Sequence, residues 1–454
     1  MRSSVSRIDI TPPVGFPIGG NVRADNLARG THDPLYCTVL LLSDGVRRAC
    51  LLGFDLLGLH LDACRLIRRK VAGRAGLDAS EVLVSATHTH SGPDVLDFFK
   101  EGVDPRATAY LEEVAGRVAE EVARMQDRLE ETAFEIARTE ATDLSFNRRI
   151  PVQGGQVRMN WERPSADETA GPPGPIDPEL LVLVLRGASG APRALLVNFA
   201  LHPAVLVGER WLWSRDYIHF LERRLRREPG LDVPVYFANG AEGNVNHLDF
   251  RNPGRSTGFE EAERVGTRLA EHVLRALRSP EPLAPLHLDV RSATVRLPRR
   301  AISPQELAAA RGLLARSTGA PASLVDGVPD EVFASQVVAM ARGSETAVET
   351  DLQAISLSPG FAIATLPGEA FVEFGLAVRQ RSKFARTMVF GLTDDCIGYI
   401  PTSRAFREGG YEIRSASSSR LAPEAGQQLV EEVLHLLDHR RGSPVGRSGC
   451  FDLP

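Results

Sequence analysis

Along the chain, short runs of apolar residues alternate with longer stretches in which apolar positions recur every three or four residues. The short runs read as strands, and the helical spacing marks amphipathic helices between them. Cys37–Ser43 and Ala49–Leu57 are strands flanking the turn Asp44-Gly45. Leu61–Ala75 has helical spacing, Glu81–Thr87 is an apolar run ending in polar residues, and Ala107–Met125 is an amphipathic helix. Further on, Leu180–Leu185, Ala194–Ala200 and Val233–Ala238 read as strands, and Tyr217–Arg226 and Glu260–Leu277 as helices. A helical excursion follows at about 303–343, broken by Gly319, Pro321, Gly327 and Pro329. Strands resume at Leu352–Leu357 and Phe361–Leu366, and Gln427–Asp438 is the last helix. This order predicts an α/β fold, a layered mixed β-sheet core flanked by helices. It predicts one large domain over 1–440 and a Gly/Ser/Pro-rich tail over 441–454. Pro164–Pro178 reads as a surface loop, residues 279–285 as the best internal linker, and no sequence repeat is visible.

Composition narrows the class. Of 454 residues, 43% are hydrophobic and 24% charged, which is globular rather than disordered. The formal charge of −5 makes no global case for nucleic acid or an anionic membrane as partner. No apolar stretch approaches the roughly 18 residues of a membrane span. The N-terminus has no apolar signal core, and the five cysteines form no CxxC pair, so the expected location is a reducing cytoplasm.

Five segments carry chemistry, and each follows a predicted strand or a turn. In Thr87-His88-Thr89-His90-Ser91-Gly92-Pro93, two histidines at i and i+2 share one face of a strand. They read as two metal ligands, as one ligand and one proton carrier, or as a hydrogen-bonded strand end. His202, in Phe199-Ala200-Leu201-His202-Pro203, ends another strand and gains weight only by converging with His88. Asn239-Gly240-Ala241-Glu242-Gly243-Asn244-Val245-Asn246 suits a tight turn whose backbone N–H groups cradle an anion, or a plain β-to-α connection. Glu369, after Pro367-Gly368, is expected to open a helix, as a dipole-favoured residue or as the carboxylate that completes a His/His/Glu set. Tyr399 and Tyr411 sit in Gly/Pro-flanked loops, as packing residues, ligands or proton donors.

The order of these motifs resembles the N-terminal catalytic domain of the neutral/alkaline (non-lysosomal) ceramidase family. THTHSGP, NRR, FALHP, the Gly/Asn turn, PGE, GYIPT and GGYE follow one another between Asp9-Ile10-Thr11 and Tyr411-Glu412. The resemblance implies one Zn²⁺ held by His88, His202, Glu369 and Tyr399, and hydrolysis of a linear amide. It places His90 beside the metal as a proton-handling residue, Tyr411 and Asn246 in the catalytic set, and Arg148 and Gly19 (or its neighbour Gly20) against the substrate. Asn246 stands where the family has a serine, so the implied route is a zinc-activated water rather than a serine nucleophile. The immunoglobulin-like C-terminal domain and the signal peptide of the family are not expected here.

The reading is therefore a zinc-dependent hydrolase acting on a small-molecule or lipid N-acyl substrate. One rival is the same scaffold acting on a non-lipid N-acyl or ester metabolite. The other is a non-catalytic binding protein, motivated by Asn244 and Asn246 at the family's Asp and Ser positions. Asp55, Asp94, Asp216 and Asp395 are candidates to support the ligands, and Trp211 and Trp213 to line the substrate mouth. The sequence does not set the oligomeric state.

Overall fold

The computed structural model describes every residue except 21, 23, 24, 97, 100–103, 208, 253, 255, 318–327 and 439–454. Gly319, Pro321, Gly327, Cys450 and the predicted tail lie outside the described residues.

One supersecondary pattern builds three sheets. Arg2–Asp9 (β1), Tyr36–Ser43 (β2) and Arg48–Phe54 (β3) pair antiparallel in chain order. Leu61–Ala75 (α1) crosses back, Val82–Ala86 (β4) pairs parallel with β3, and Pro105–Met125 (α2) packs on α1. Ala133–Glu140 (β5), Glu179–Arg186 (β6) and Pro192–Phe199 (β7) repeat the antiparallel run. Tyr217–Leu225 (α3) then leads to Val235–Asn239 (β8), parallel to β7, and to Phe259–Ala276 (α4). The third sheet begins with Asp289–Pro298 (β9), leaves through helices Pro304–Arg316 (α5) and Asp330–Met340 (α6), and returns as Ala347–Ser358 (β10) and Phe361–Thr365 (β11). Val372–Arg381 (α7) crosses to Arg386–Phe390 (β12), parallel to β11, and Ala425–Asp438 (α8) closes the unit. No sequence repeat signals this triplication of topology.

The apolar runs are continuous because these strands are buried on both faces. On β6, Leu181, Leu183 and Leu185 face a central core, while Leu180, Val182 and Val184 face α3 and α4. Leu40, Leu51 and Leu83 of the first sheet and Ile355, Phe361, Ile363 and Phe390 of the third meet the second sheet in that central core. Three sheets thus share one interior and carry their helices outside, which supports the single-domain α/β expectation.

Three strands were illegible as apolar runs. β1 (RSSVSRID), β5 (AFEIARTE) and β9 (DVRSATVRLP) mix polar and apolar residues because each lies toward a sheet edge with part of one face exposed. The 279–285 segment is not a free linker, since Glu281–Pro282 pairs with β5 at the edge of the second sheet. Trp213 is a core residue and the Trp211 indole N–H donates to the Asp25 carbonyl at 2.8 Å; neither is among the residues that line the cavity described below.

Helices α3 and α4 meet backbone to backbone at Gly266, where a Cβ would fall on the Tyr217 carbonyl and 2.7 Å from Leu221 N. Gly266→Ala is expected to cost about 1–3 kcal/mol through overpacking. Gly116→Ala on α2, where a Cβ meets nothing within 4 Å, should cost nothing. Urea midpoints of the two variants check both statements; equal midpoints would refute the packing argument.

Candidate metal centre

The parallel strand pairs of all three units end on the same side of the molecule, and their C-terminal loops interlock there. Asn198 Nδ2 donates to the carbonyls of Ala238 and Val389, both at 2.9 Å, tying the second sheet to the third. Asp394 N donates to Val84 O at 2.7 Å and Ala86 N to Leu392 O at 3.1 Å, tying the third to the first. The site lies among these loops, as sites at the carboxyl ends of parallel strands do.

β4 ends at Ala86, and His88 follows in the left-handed region at φ 70°. The strand pleat therefore does not align His88 with His90; a turn does. Their Nε2 atoms are 3.3 Å apart, and His202 Nε2 is 3.1 Å from each. Glu369 Oε2 lies 3.5 Å from His88 Nε2 and 4.0 Å from His202 Nε2. His88 Nδ1 donates to the Leu57 carbonyl at 2.6 Å, so its Nε2 presents a lone pair to the cluster. Burial pushes the His90 and His202 imidazoles well below their ordinary range, helped by His88 and Arg148. A tetrahedral ion with bonds of about 2.0–2.1 Å separates its ligand atoms by about 3.3–3.4 Å. The histidine spacing fits that figure, and Glu369 Oε2 is buried with no hydrogen-bond donor. The donor set suits a divalent cation.

Glu369 does not open a helix. It forms a two-residue parallel ladder with Tyr399 ahead of α7, which puts Glu369 and Tyr399 side by side. Burial, then the Glu369 charge, raises the Tyr399 phenol well above its usual range, opposed by Arg148. Tyr411 meets Tyr399 edge-on at 5.9 Å, and burial and Glu369 push its phenol up to about 12.

Other expected residues are placed differently. Arg148 is buried and already paired: its Nε donates to Glu412 Oε1 at 2.8 Å, while Arg149 holds Glu412 Oε2 at 2.7 Å. Its guanidinium sits 5.4 Å from the Tyr399 ring centroid, so it stands behind Tyr399 instead of facing the cavity as a substrate anchor. The Asn246 amide exchanges two hydrogen bonds with Asn160, at 2.7 and 3.0 Å, and is not among the cavity-lining residues. Gly19 packs on Leu57, whereas Gly20 (φ 83°) lines the cavity, where a Cβ would stand 2.5 Å from His90 Nδ1. In the Gly/Asn turn, Gly240 N and Gly243 N are taken by the Phe199 and Ala370 carbonyls. Asn244 Oδ1 accepts from Val372 N at 2.8 Å at the start of α7. Of the four aspartates, Asp94 reaches the cavity, while Asp55, Asp216 and Asp395 accept backbone N–H groups.

The cavity has a volume of about 250 Å³. His88, His90, Glu369, Tyr399 and Tyr411 form its polar side, and Val22, Leu57, Leu96, Phe98, Phe99 and Val328 its apolar side. Val328 and Phe333 come from the excursion between β9 and β10, which packs against Tyr411. Spacing along the sequence carried no sign of that wall. Glu242 was also missed. It is fully buried beside the centre, and burial, then the Glu369 charge, raises its carboxyl well above the ordinary range, opposed by a backbone N–H.

No protein-family model matches the chain, and no curated protein matches its sequence. Its fold is that of solved ceramidases. Neutral ceramidase from Pseudomonas aeruginosa superposes with a TM-score of 0.72 at 18% identity, over 98% of this chain and 76% of that one. A ceramidase complexed with C2 gives 0.72 at 16%, over 98% and 77%. At these identities the likeness is one of fold.

Burial alone would raise the Glu412 carboxyl, but Arg148 and Arg149 hold it below its ordinary value. A lowered folded-state pKa stabilises the fold above the unfolded carboxylate pKa of about 4.3 and is lost as pH falls through the folded value. Glu412→Gln is expected to cost about 3–5 kcal/mol at pH 7, because it leaves the buried Arg148 guanidinium without its anion and Arg149 with only the more distant Glu408. Its deficit against the wild type should shrink as pH falls below about 4. Thermal unfolding against pH reads both; a pH-independent deficit would refute the ion-pair account.

Proposed function

We propose that the chain is a zinc-dependent hydrolase that cleaves a linear amide in an N-acyl substrate. The observation that carries this reading is the convergence of the His88, His90 and His202 Nε2 atoms at ligand spacing, with Glu369 Oε2 3.5 Å from His88, at the loop end of a ceramidase-type fold. His88, His202 and Glu369 would hold the ion, with Tyr399 beside Glu369. Zinc in that position supplies Lewis-acid polarisation of a carbonyl and a water acidified to about pH 7.

The protein's own groups do the rest. His90 is the least buried of the three histidines and faces the cavity. Held neutral, it accepts the proton of the attacking water and passes it to the leaving amine. Tyr411, protonated through the neutral range, donates a hydrogen bond to the carbonyl oxygen as negative charge builds on it. Arg148, fixed by Glu412, keeps positive charge behind the Tyr399 phenol. The apolar wall takes the acyl group.

A second reading, hydrolysis of a small non-lipid N-acyl or ester metabolite, is favoured by the size of the cavity. Its volume of about 250 Å³ falls below the roughly 300–1,000 Å³ of ordinary small-molecule pockets. Rates on N-acyl amines of increasing chain length separate the two: a steady rise toward long chains favours a lipid, a collapse beyond short chains a metabolite.

His202→Ala is expected to lose both zinc and hydrolysis, as elemental analysis and an N-acyl amine assay would read. Full zinc retention would sink the ligand assignment. Tyr411→Phe should keep its zinc and lower kcat by about 10²–10³-fold; an unchanged kcat would remove Tyr411 from the reaction.

A further inference from the structure

We propose that His32, Asp33 and His219 form a second divalent-cation site, distinct from the His88 cluster and coupled to it through Ser214. His32 and Asp33 follow the short strand Gly30–Thr31, and His219 lies in the first turn of α3. One ligand atom from each falls within 4.8 Å of the others. Both imidazoles turn Nδ1 toward the same carboxylate, one to each oxygen: His32 lies 2.8 Å from Oδ2 and His219 3.7 Å from Oδ1. The carboxylate is buried at 1% exposure, while the His32 and His219 side chains are 31% and 22% exposed. An ion therefore reaches the group from solvent and finds its anion at the bottom. Two imidazoles and one carboxylate, with a place left for water, suit zinc or its borderline neighbours rather than calcium or magnesium.

The arrangement is held from outside the cluster. The His32 ring stacks on Phe259 at 4.1 Å between centroids. Asp33 Oδ1 accepts from Arg215 N at 2.8 Å and lies 3.6 Å from Arg215 Nε, while Arg215 Nη1 pairs with Glu222 at 2.6 Å. An Asp–His clamp that only pinned the turn to α3 would need one imidazole; this carboxylate faces two.

The link to the first centre is short. Ser214 Oγ donates to Asp33 Oδ2 at 2.5 Å, its N–H donates to Ser91 O at 3.1 Å, and its carbonyl accepts from Thr89 Oγ1 at 2.7 Å. Thr89 and Ser91 bracket His90. An ion on Asp33 braces the loop that carries His88 and His90. The proposal does not depend on the hydrolase reading.

The test is equilibrium dialysis of the full-length, chelator-stripped chain against Zn²⁺, followed by elemental analysis. The wild type should bind about two ions per chain, and His32→Asn/His219→Gln and His88→Ala/His202→Ala about one each. A single ion in the wild type that persists in His32→Asn/His219→Gln overturns the proposal, as does uptake of two by that variant. If the double variant does not fold, His32→Asn decides: its amide still donates to Asp33, and it must lose the second ion. One ion lost from His32→Asn/His219→Gln but kept by His88→Ala/His202→Ala supports this site and removes the other.

Discussion

The interior shared by three sheets is the constraint on which the rest of this molecule depends. Leu51, Leu183 and Ile363 each belong to a different sheet and meet in one apolar core. Because strand side chains alternate, every central strand must bury one face there and the other beneath its own helices. That double burial leaves no freedom to slip register, since a one-residue shift would exchange the two faces. Register in turn fixes where each strand ends. The ends are then stitched by buried amides such as Asn198, which would be costly to leave unbonded. Strand register therefore sets where the donor-bearing loops begin, and the turns that follow, such as the one at His88, aim the donor atoms.

Upon this frame the centre concentrates buried charge. Glu369 lies close enough to Glu242 to help burial raise the Glu242 carboxyl, and among the described residues no arginine forms an ion pair with either. Arg148 stands one layer further out, neutralised by Glu412, which also serves Arg149. A positive ion among the histidines would relieve the first pair without disturbing the second. The protein thus separates an arginine–carboxylate network from a set of unpaired donor atoms.

The legible part of the fold was the part buried on both faces. β6 is apolar from Leu180 to Leu185, and no other element would bury six such residues in a row at that length. β1, β5 and β9 were lost because one exposed edge or face admits polar residues, and the mixed pattern also occurs in loops. In the site, His88, His202 and Glu369 were legible because each follows a strand in a motif with few structural uses. Asn246 and Arg148 were less legible because their partners are distant in sequence: the Asn246 amide pairs with Asn160, and Arg148 Nε with Glu412. The apolar wall was invisible because Val22, Leu96, Phe98 and Val328 come from separate segments with no common period.

By itself, the sequence determined the alternation of strands and helices, the order of the ligand-bearing segments and the chemical type of each candidate ligand. These are local properties, written in hydrophobic period and residue identity. Only the tertiary structure decided that three units share one topology, that Gly20 and not Gly19 faces His90, and that Arg148 stands behind Tyr399. It alone also brought His32 and His219 to one carboxylate. Such facts are distances between residues far apart in the chain, and they are set by how three sheets close on a common core rather than by any window of sequence.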